Sequence, residues 1–154
     1  MPIPVKAARH MTDTELINIA TQLVGEFRTS EDCVAGGVAA ALVTTAGRVY
    51  TGICIDTACS LGFCAEHAAV AEMLKSRESE ITSIVAVDSA GRVLAPCGRC
   101  RELLWQVNSR NADTRVILGP GTAAALSELL PRTCEGRSAL KQRHDTPLQP
   151  TSGA

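Results

Sequence analysis

The sequence contains few aromatic residues and no excess of charge of one sign. Aromatic side chains make up 3% of the 154 residues, with one Trp, one Tyr and two Phe, so few rings are available to stack on single-stranded bases. Lys and Arg total 15 and Asp and Glu total 16, which gives a net charge of −1 and no overall basic field. The composition therefore argues against a nucleic-acid partner and favours a small-molecule substrate.

Long hydrophobic runs are also absent. No segment approaches the roughly 20 apolar residues that a membrane span requires, and residues 1–15 lack the apolar centre of a signal peptide. We therefore expect a cytoplasmic protein with no membrane partner. Disulfides are rare in that compartment, so the seven cysteines are expected to be metal ligands or reactive thiols rather than a disulfide framework.

Hydrophobic patterning predicts an α/β protein. The chain is long enough to bury roughly two thirds of its unfolded surface, and residues 12–15 form a capping box ahead of an amphipathic helix of about 15 residues. The rest of the pattern predicts, in order, strands over 36–44 and 49–53 joined as a hairpin, a loop over 54–63, a helix over 64–75, a strand over 81–87, a helix over 97–107, a strand over 114–118 and a short helix ended by Pro131.

This order of elements predicts a three-layer α-β-α sandwich around a mixed sheet of the five-strand class. The pattern locates four strands, and we expect the fifth within a segment assigned as loop or tail. Residues 1–131 would form a single domain. Residues 132–154 are polar and lack an apolar period, so we expect a disordered tail there.

Two short motifs contain the candidate chemistry. The first is Cys64-Ala65-Glu66-His67, and the second is the Pro-Cys-Gly-Arg-Cys segment over 96–100. Cys97 and Cys100 are spaced i, i+3, which places both sulfurs on one side of a helical turn, and a helix N-terminus favours the thiolate form of a cysteine. Three such ligands can hold Zn²⁺ and leave its fourth position to a water, whose pKa falls to roughly 7.

Glu66 follows the first cysteine by two residues, where its carboxylate can move protons for that water. Three zinc ligands with a nearby glutamate, in this order, are the signature of zinc nucleobase deaminases. A closed structural site would also fit the motifs, with Cys64, His67, Cys97 and Cys100 as a Cys₃His set and Glu66 as an ordinary helix residue. So would a redox pair of cysteines or a catalytically silent, zinc-holding binding protein.

The chain resembles the cytidine deaminase superfamily and, within it, the blasticidin-S deaminase-like members. The resemblance spans roughly residues 12–131, and its motifs occur in the same order as in the superfamily. They are Ser30-Glu31-Asp32, the 36–44 strand with its Gly47-Arg48 turn, Thr51-Gly52 ahead of Cys64-Ala65-Glu66, Pro96-Cys97-Gly98-Arg99-Cys100-Arg101 followed by Leu103-Leu104, and Ser127-Glu128-Leu129-Leu130-Pro131.

The resemblance implies a zinc-dependent hydrolase that deaminates an aminopyrimidine and releases ammonia. Its substrate would be cytidine, cytosine or a nucleoside of the blasticidin-S type. The resemblance also assigns Cys64, Cys97 and Cys100 as ligands of one zinc ion per subunit and Glu66 as the proton shuttle. Such enzymes are commonly homotetramers whose subunits contribute to each other's sites, so a homo-oligomer, and specifically a tetramer, is expected.

Substrate contacts are also implied, and here the chain departs from the family. The Ala65 N–H would lie near the pyrimidine 2-oxo group, and the backbone around Ala95 near the leaving amine. Cys54 and Asp56 stand where cytidine deaminases use Asn and Glu to hold the ribose; Asp56 can still accept from hydroxyls, whereas Cys54 replaces an amide poorly.

His67 stands where many tetrameric members have Arg. It is expected to donate a hydrogen bond to a ligand sulfur, or to be a helix histidine without a role. The C-terminal aromatic residue that reaches a neighbouring site in the family has no counterpart after Pro131.

Overall fold

The computed structural model describes residues 11–134, which form a seven-stranded sheet and four α-helices. The predicted tail therefore lies outside the described residues except for 132–134, and the boundary at residue 131 stays a prediction. In chain order the elements are α1 (Asp13–Leu23), β1 (Phe27–Ser30), β2 (Cys33–Thr44), β3 (Val49–Thr57), α2 (Ala65–Lys75), β4 (Ile81–Asp88), β5 (Val93–Leu94), α3 (Gly98–Val107), β6 (Arg115–Gly119), β7 (Thr122–Ala125) and α4 (Leu126–Leu129).

The sheet is mixed and is built around the long strand β2. The β3 strand pairs with β2 as an antiparallel hairpin, as predicted, while β1 and β4 also pair antiparallel with β2. The β4 and β6 strands are parallel, and β5 and β7 add short antiparallel strands to β4 and β6.

Alternate residues of β2 serve two separate cores. Ala40 and Leu42 lie in the cluster on the side of α2 and α3, while Ala41 and Val43 lie in the cluster that contains Leu16 of α1. Successive side chains of a strand point to opposite faces, so helices cover both faces of the sheet. The predicted three-layer α-β-α architecture is confirmed.

The first helix begins as predicted and ends earlier. The Glu15 N–H donates to Thr12 Oγ1 at 3.2 Å and the Thr12 N–H donates to Glu15 Oε2 at 2.9 Å, which completes the capping box. The helix has 11 residues because Val24 adopts an extended conformation and the Gly25 N–H donates to the Gly36 carbonyl. Phe27, which a helix of about 15 residues would include, instead opens β1 and is 51% exposed.

The strands are longer and more numerous than predicted. The β3 strand continues to Thr57, so Cys54 and Asp56 lie on a strand and the prediction of a loop over 54–63 was wrong for 54–57. The short strands β1, β5 and β7 were not predicted. The residues of β1 are all exposed and those of β7 are small, so neither has the apolar alternation that identifies a strand in a sequence.

No helix within residues 11–134 is both long enough and apolar enough to cross a membrane.

Candidate active site and metal centre

Two helix N-termini bring the candidate zinc ligands together. Cys64 is the N-cap of α2 and Cys97 is the N-cap of α3, and both have extended backbone conformations, at φ −67° and φ −66°. Although 33 residues separate them in the chain, their Sγ atoms are 3.7 Å apart. Cys100 lies one turn into α3, with its Sγ 3.4 Å from Cys97 Sγ.

The spacing of these sulfurs fits a zinc ion. Tetrahedral Zn²⁺ with bonds of about 2.3 Å to sulfur places two ligand sulfurs about 3.8 Å apart, close to the two distances above. His67 lies at the same place, since its Nδ1 is 3.5 Å from Cys100 Sγ. The ligand atoms of Cys64, His67 and Cys100 lie within 4.8 Å of one another. The cluster therefore contains two possible sets of three metal ligands. One is Cys64, Cys97 and Cys100, and the other has His67 in place of Cys97.

Glu66 is buried beside the sulfurs. Its side chain is in the first turn of α2, and the residue is 6% exposed. Burial raises the pKa of the Glu66 carboxyl, and its own backbone N–H and the Cys100 side chain offset part of that rise. A rise of the carboxyl pKa from its ordinary value favours the role of a group that takes up a proton and then returns it.

The three thiols differ in how easily they ionise. Burial raises the pKa of Cys97, but the backbone N–H of Cys100, the side chains of Cys100 and Cys64 and the backbone N–H of Arg99 outweigh it, so the pKa of Cys97 is lowered. Burial raises the pKa of Cys64 and of Cys100. Metal ligation requires thiolates, so a bound cation would stabilise the ionised form of the latter two.

His67 is held in its neutral form. Burial lowers the pKa of the imidazole, and the nearby positive charge of Arg99 lowers it further. Its ring centroid lies 6.4 Å from that of Phe63. A neutral imidazole can ligate a metal or donate an N–H to the Cys100 sulfur.

Two glycines allow the chain to present Cys64. The loop before Cys64 folds back on β3, where Ile55 and Phe63 exchange backbone hydrogen bonds of 3.0 Å. A Cβ on Gly62 would lie 1.8 Å from the Ile55 carbonyl oxygen, so only glycine fits there. A Cβ on Gly52 would lie 2.4 Å from the Ala69 nitrogen, so this glycine lets α2 pack directly on β3.

A cavity of about 290 Å³ opens beside Cys64, lined among others by Asp56, Phe63 and Arg99. Asp56 thus faces the cavity, as expected for a substrate contact, whereas Cys54, Ala65 and Ala95 are not among the residues that line it. Cys54 is buried, accepts the Val38 N–H at 3.2 Å and has its Sγ 3.5 Å from Asp56 Oδ2.

Arg99 is the charged lining residue that the sequence analysis did not assign to the site. Its place between the two cysteines of the second motif is the signal that could have identified it, because the chain there must run beside the metal ligands.

Comparison with known proteins agrees with this geometry. Residues 11–116 match the family model described as the cytidine and deoxycytidylate deaminase zinc-binding region. A cytidine deaminase of Mycobacterium tuberculosis is 34% identical over 95 residues, which are 61% of this chain and 69% of that protein. A cytidine deaminase of Halalkalibacterium halodurans is 33% identical over 99 residues, 61% of this chain and 74% of that protein. The crystal structure of a cytidine deaminase from Mycobacterium tuberculosis superposes with a TM-score of 0.66 at 30% identity, covering 79% of this chain and 97% of that chain.

Proposed function

The chain belongs to the family with the cytidine and deoxycytidylate deaminase zinc-binding region, and on that premise we propose that Cys64, Cys97 and Cys100 hold its zinc ion and Glu66 moves its protons. The protein is a zinc-dependent hydrolase that acts on the C–N bond of a cytidine-type substrate. The observation that supports these assignments best is the triangle of sulfurs at two helix N-termini, with the buried Glu66 carboxyl beside it.

The reaction adds water across the ring C=N bond of the aminopyrimidine and then breaks the exocyclic C–N bond. Zinc, when bound, supplies the positive charge that makes a water acidic enough to react at neutral pH. Glu66 takes a proton from the attacking water and delivers it to the ring nitrogen. Glu66 then carries the proton of the new hydroxyl group to the amine, so the hydroxyl becomes a carbonyl, the exocyclic C–N bond breaks and ammonia leaves. By the resemblance, the Ala65 N–H would lie near the 2-oxo group and the backbone around Ala95 near the departing amine, although neither residue is among those that line the cavity beside Cys64.

Substitution of Glu66 tests this mechanism. In Glu66→Gln the amide cannot carry the proton, so we expect ammonia release to fall by about 10²- to 10⁴-fold, with zinc content unchanged. Purified protein would be assayed for zinc by mass spectrometry and for ammonia on cytidine, cytosine and blasticidin S. If Glu66→Gln deaminates any of them as fast as wild type, Glu66 is not the shuttle.

A closed zinc site is the second candidate, because His67 Nδ1 lies 3.5 Å from Cys100 Sγ. Replacing zinc by Co²⁺ distinguishes the two through the visible spectrum. In the open site, His67→Ala leaves the metal bound at one per chain and shifts the cobalt bands only slightly. Loss of the metal from His67→Ala, together with no turnover by the zinc-loaded wild type, would establish the structural site.

The preferred substrate, the assembly and the compartment complete the proposal. Cytidine is supported by the relatives, which are cytidine deaminases, while Cys54 in place of the family's Asn argues against ribose recognition and keeps cytosine and a blasticidin-S-type nucleoside as alternatives. The three-substrate panel decides between them. We also propose a cytoplasmic homotetramer, which is supported by the resemblance. Light scattering during gel filtration tests the tetramer.

A further inference from the structure

Arg99 lines the candidate substrate cavity, and no residue in the described part of the chain pairs with its guanidinium. Its side chain makes no hydrogen bond or ion pair with another residue between 11 and 134, and it is exposed beside Cys64 and Asp56. Arg101, two residues further along α3, differs, since it donates to the Pro96 carbonyl at 2.8 Å and to the Leu129 carbonyl at 3.0 Å. The Arg101 guanidinium therefore stabilises the fold, whereas the Arg99 guanidinium is available to a ligand in the cavity.

Helix stability does not account for Arg99. It is the second residue of α3, where a cation opposes the helix dipole. The lining also contains Asp56, whose carboxylate can accept only from donors such as hydroxyl groups. The cavity therefore contains two different polar groups: the Asp56 carboxylate, which can accept hydrogen bonds from hydroxyl groups, and the Arg99 guanidinium, a cation that donates several hydrogen bonds.

We propose that Arg99 is a specificity-determining residue for this reaction, an inference that rests on the proposed function. It binds an anionic oxygen group, carboxylate or phosphate, on the substituent of the substrate's pyrimidine ring. The planar guanidinium matches the two oxygens of such a group and pairs with them in a bidentate manner. Asp56 binds a hydroxyl of the same substituent. A cavity of about 290 Å³ accommodates a nucleoside-sized molecule and no macromolecule.

Three substrates and three variants test the proposal. Cytidine, cytidine 5′-monophosphate and cytidine 5′-carboxylic acid share the reacting ring and differ in charge. Arg99→Gln removes the cation, Arg99→Lys keeps the charge without the fork, and Arg110→Gln is the matched control, since Arg110 is exposed and pairs with Glu80 away from this cavity. Zinc content is measured for every variant.

Wild type is expected to prefer one anionic substrate over cytidine in kcat/KM, and which one identifies phosphate or carboxylate as the group bound. Arg99→Gln should lower kcat/KM for that substrate by about 10- to 100-fold, mainly through KM, and change cytidine by less than about 3-fold. Arg99→Lys should recover part of the loss, and Arg110→Gln should leave all three substrates unchanged.

Two results would overturn the proposal. One is an equal loss on all three substrates or a loss of zinc in Arg99→Gln, which would mean that Arg99 serves the thiolates. The other is that wild type prefers cytidine and that Arg99→Gln does not change kcat/KM for any of the three substrates. Calorimetric binding of the same ligands tests Arg99 independently of turnover. If zinc-loaded wild type releases no ammonia from any pyrimidine, the proposed function is refuted. Weaker binding of the anionic ligand to Arg99→Gln than to wild type would still support the anion site.

Discussion

At the scale of single residues, burial has opposite effects on the pKa values of two neighbours in α2 and the same effect on their charge. It raises the pKa of Glu66 and lowers the pKa of His67, so both side chains are favoured in their neutral forms. Of the three thiols only Cys97 has a lowered pKa, so a bound cation is needed to stabilise the thiolate forms of Cys64 and Cys100. A raised pKa helps Glu66 to hold a proton between its two transfers, and a neutral His67 can donate its N–H to the Cys100 sulfur without adding charge.

Asp88, at the start of the β4–β5 turn, gives a prediction for acid stability. The Ala90 and Arg92 N–H groups donate to its Oδ1, both at 2.9 Å, and Arg92 Nε donates to Oδ2 at 2.8 Å. The backbone N–H of Arg92, followed by its side chain, lowers the pKa of Asp88 in the folded protein. The unfolded chain then binds this proton more readily than the folded one, so the stabilisation is present above the ordinary pKa and is lost as pH falls through the lowered folded pKa.

We therefore expect Asp88→Asn to be less stable than wild type by a constant amount at neutral pH. The difference in the free energy of unfolding should shrink as pH falls below the ordinary value of 3.8. Urea unfolding of both proteins at a series of pH values, from neutral down to below that value, measures it. A difference that stays constant or grows on acidification would mean that the carboxylate does not stabilise the turn.

At the scale of elements, Gly52 controls how α2 sits on the sheet. A Cβ there would lie 2.5 Å from Ala68 Cβ and 2.6 Å from the Ala65 carbonyl oxygen, and two of its three nearest atoms belong to the helix backbone. The helix therefore has to move away from β3 when any side chain is added. Because Cys64 is the N-cap of that helix, such a movement also separates its sulfur from those on α3.

Gly52→Ala is expected to lower the free energy of unfolding by about 1–3 kcal/mol and to weaken zinc retention. Gly98→Ala is the matched control, since Gly98 lies between the motif cysteines and its added Cβ would meet nothing within 4 Å. Urea unfolding and zinc retention on dialysis measure both effects. If Gly52→Ala keeps the zinc and the stability of Gly98→Ala, the close approach of α2 to β3 does not position Cys64.

The elements that sequence predicts well here are those whose signals are local. The capping box at Thr12, the 81–87 strand and the helices after Cys64 and Cys97 each follow from residues close in the chain. The short strands β1, β5 and β7 could not be predicted in this way, because their pairing depends on β2, β4 and β6, which offer them a free edge.

Tertiary contacts also decide what individual polar residues do. Asn111 is 1% exposed, accepts the Ile81 N–H and donates to the carbonyls of Ser79 and Leu104, a role that no spacing in the sequence indicates. Arg99 and Arg101 both belong to the second motif, and the fold places Arg99 at the cavity and lets Arg101 donate to backbone carbonyls. The zinc motifs were predictable because a metal demands specific side chains, whereas a substrate cavity can be lined in many ways.

At the scale of the whole molecule, the proposed zinc site connects two helices on one side of the sheet. The α2 helix packs on β3 and α3 lies further along the sheet, and their N-termini converge at the cysteine cluster. Without a cation, burial opposes ionisation of Cys64 and Cys100. A metal ion that binds only the folded chain stabilises it by mass action.

We expect removal of zinc by a chelator to lower the unfolding temperature by at least about 10 °C, given that 1 kcal/mol corresponds to about 2–4 °C for a chain of this size. Stoichiometric Zn²⁺ should restore it and Mg²⁺ should not, because the ligands are thiolates. Cys97→Ser should have the lowered unfolding temperature of the zinc-free protein, and added zinc should raise it only slightly. Cys59→Ser alters an exposed cysteine outside the cluster and should behave as wild type. An unfolding temperature that is independent of zinc in wild type would show that the convergence of α2 and α3 is fixed by packing alone, and the three thiols would then need another explanation.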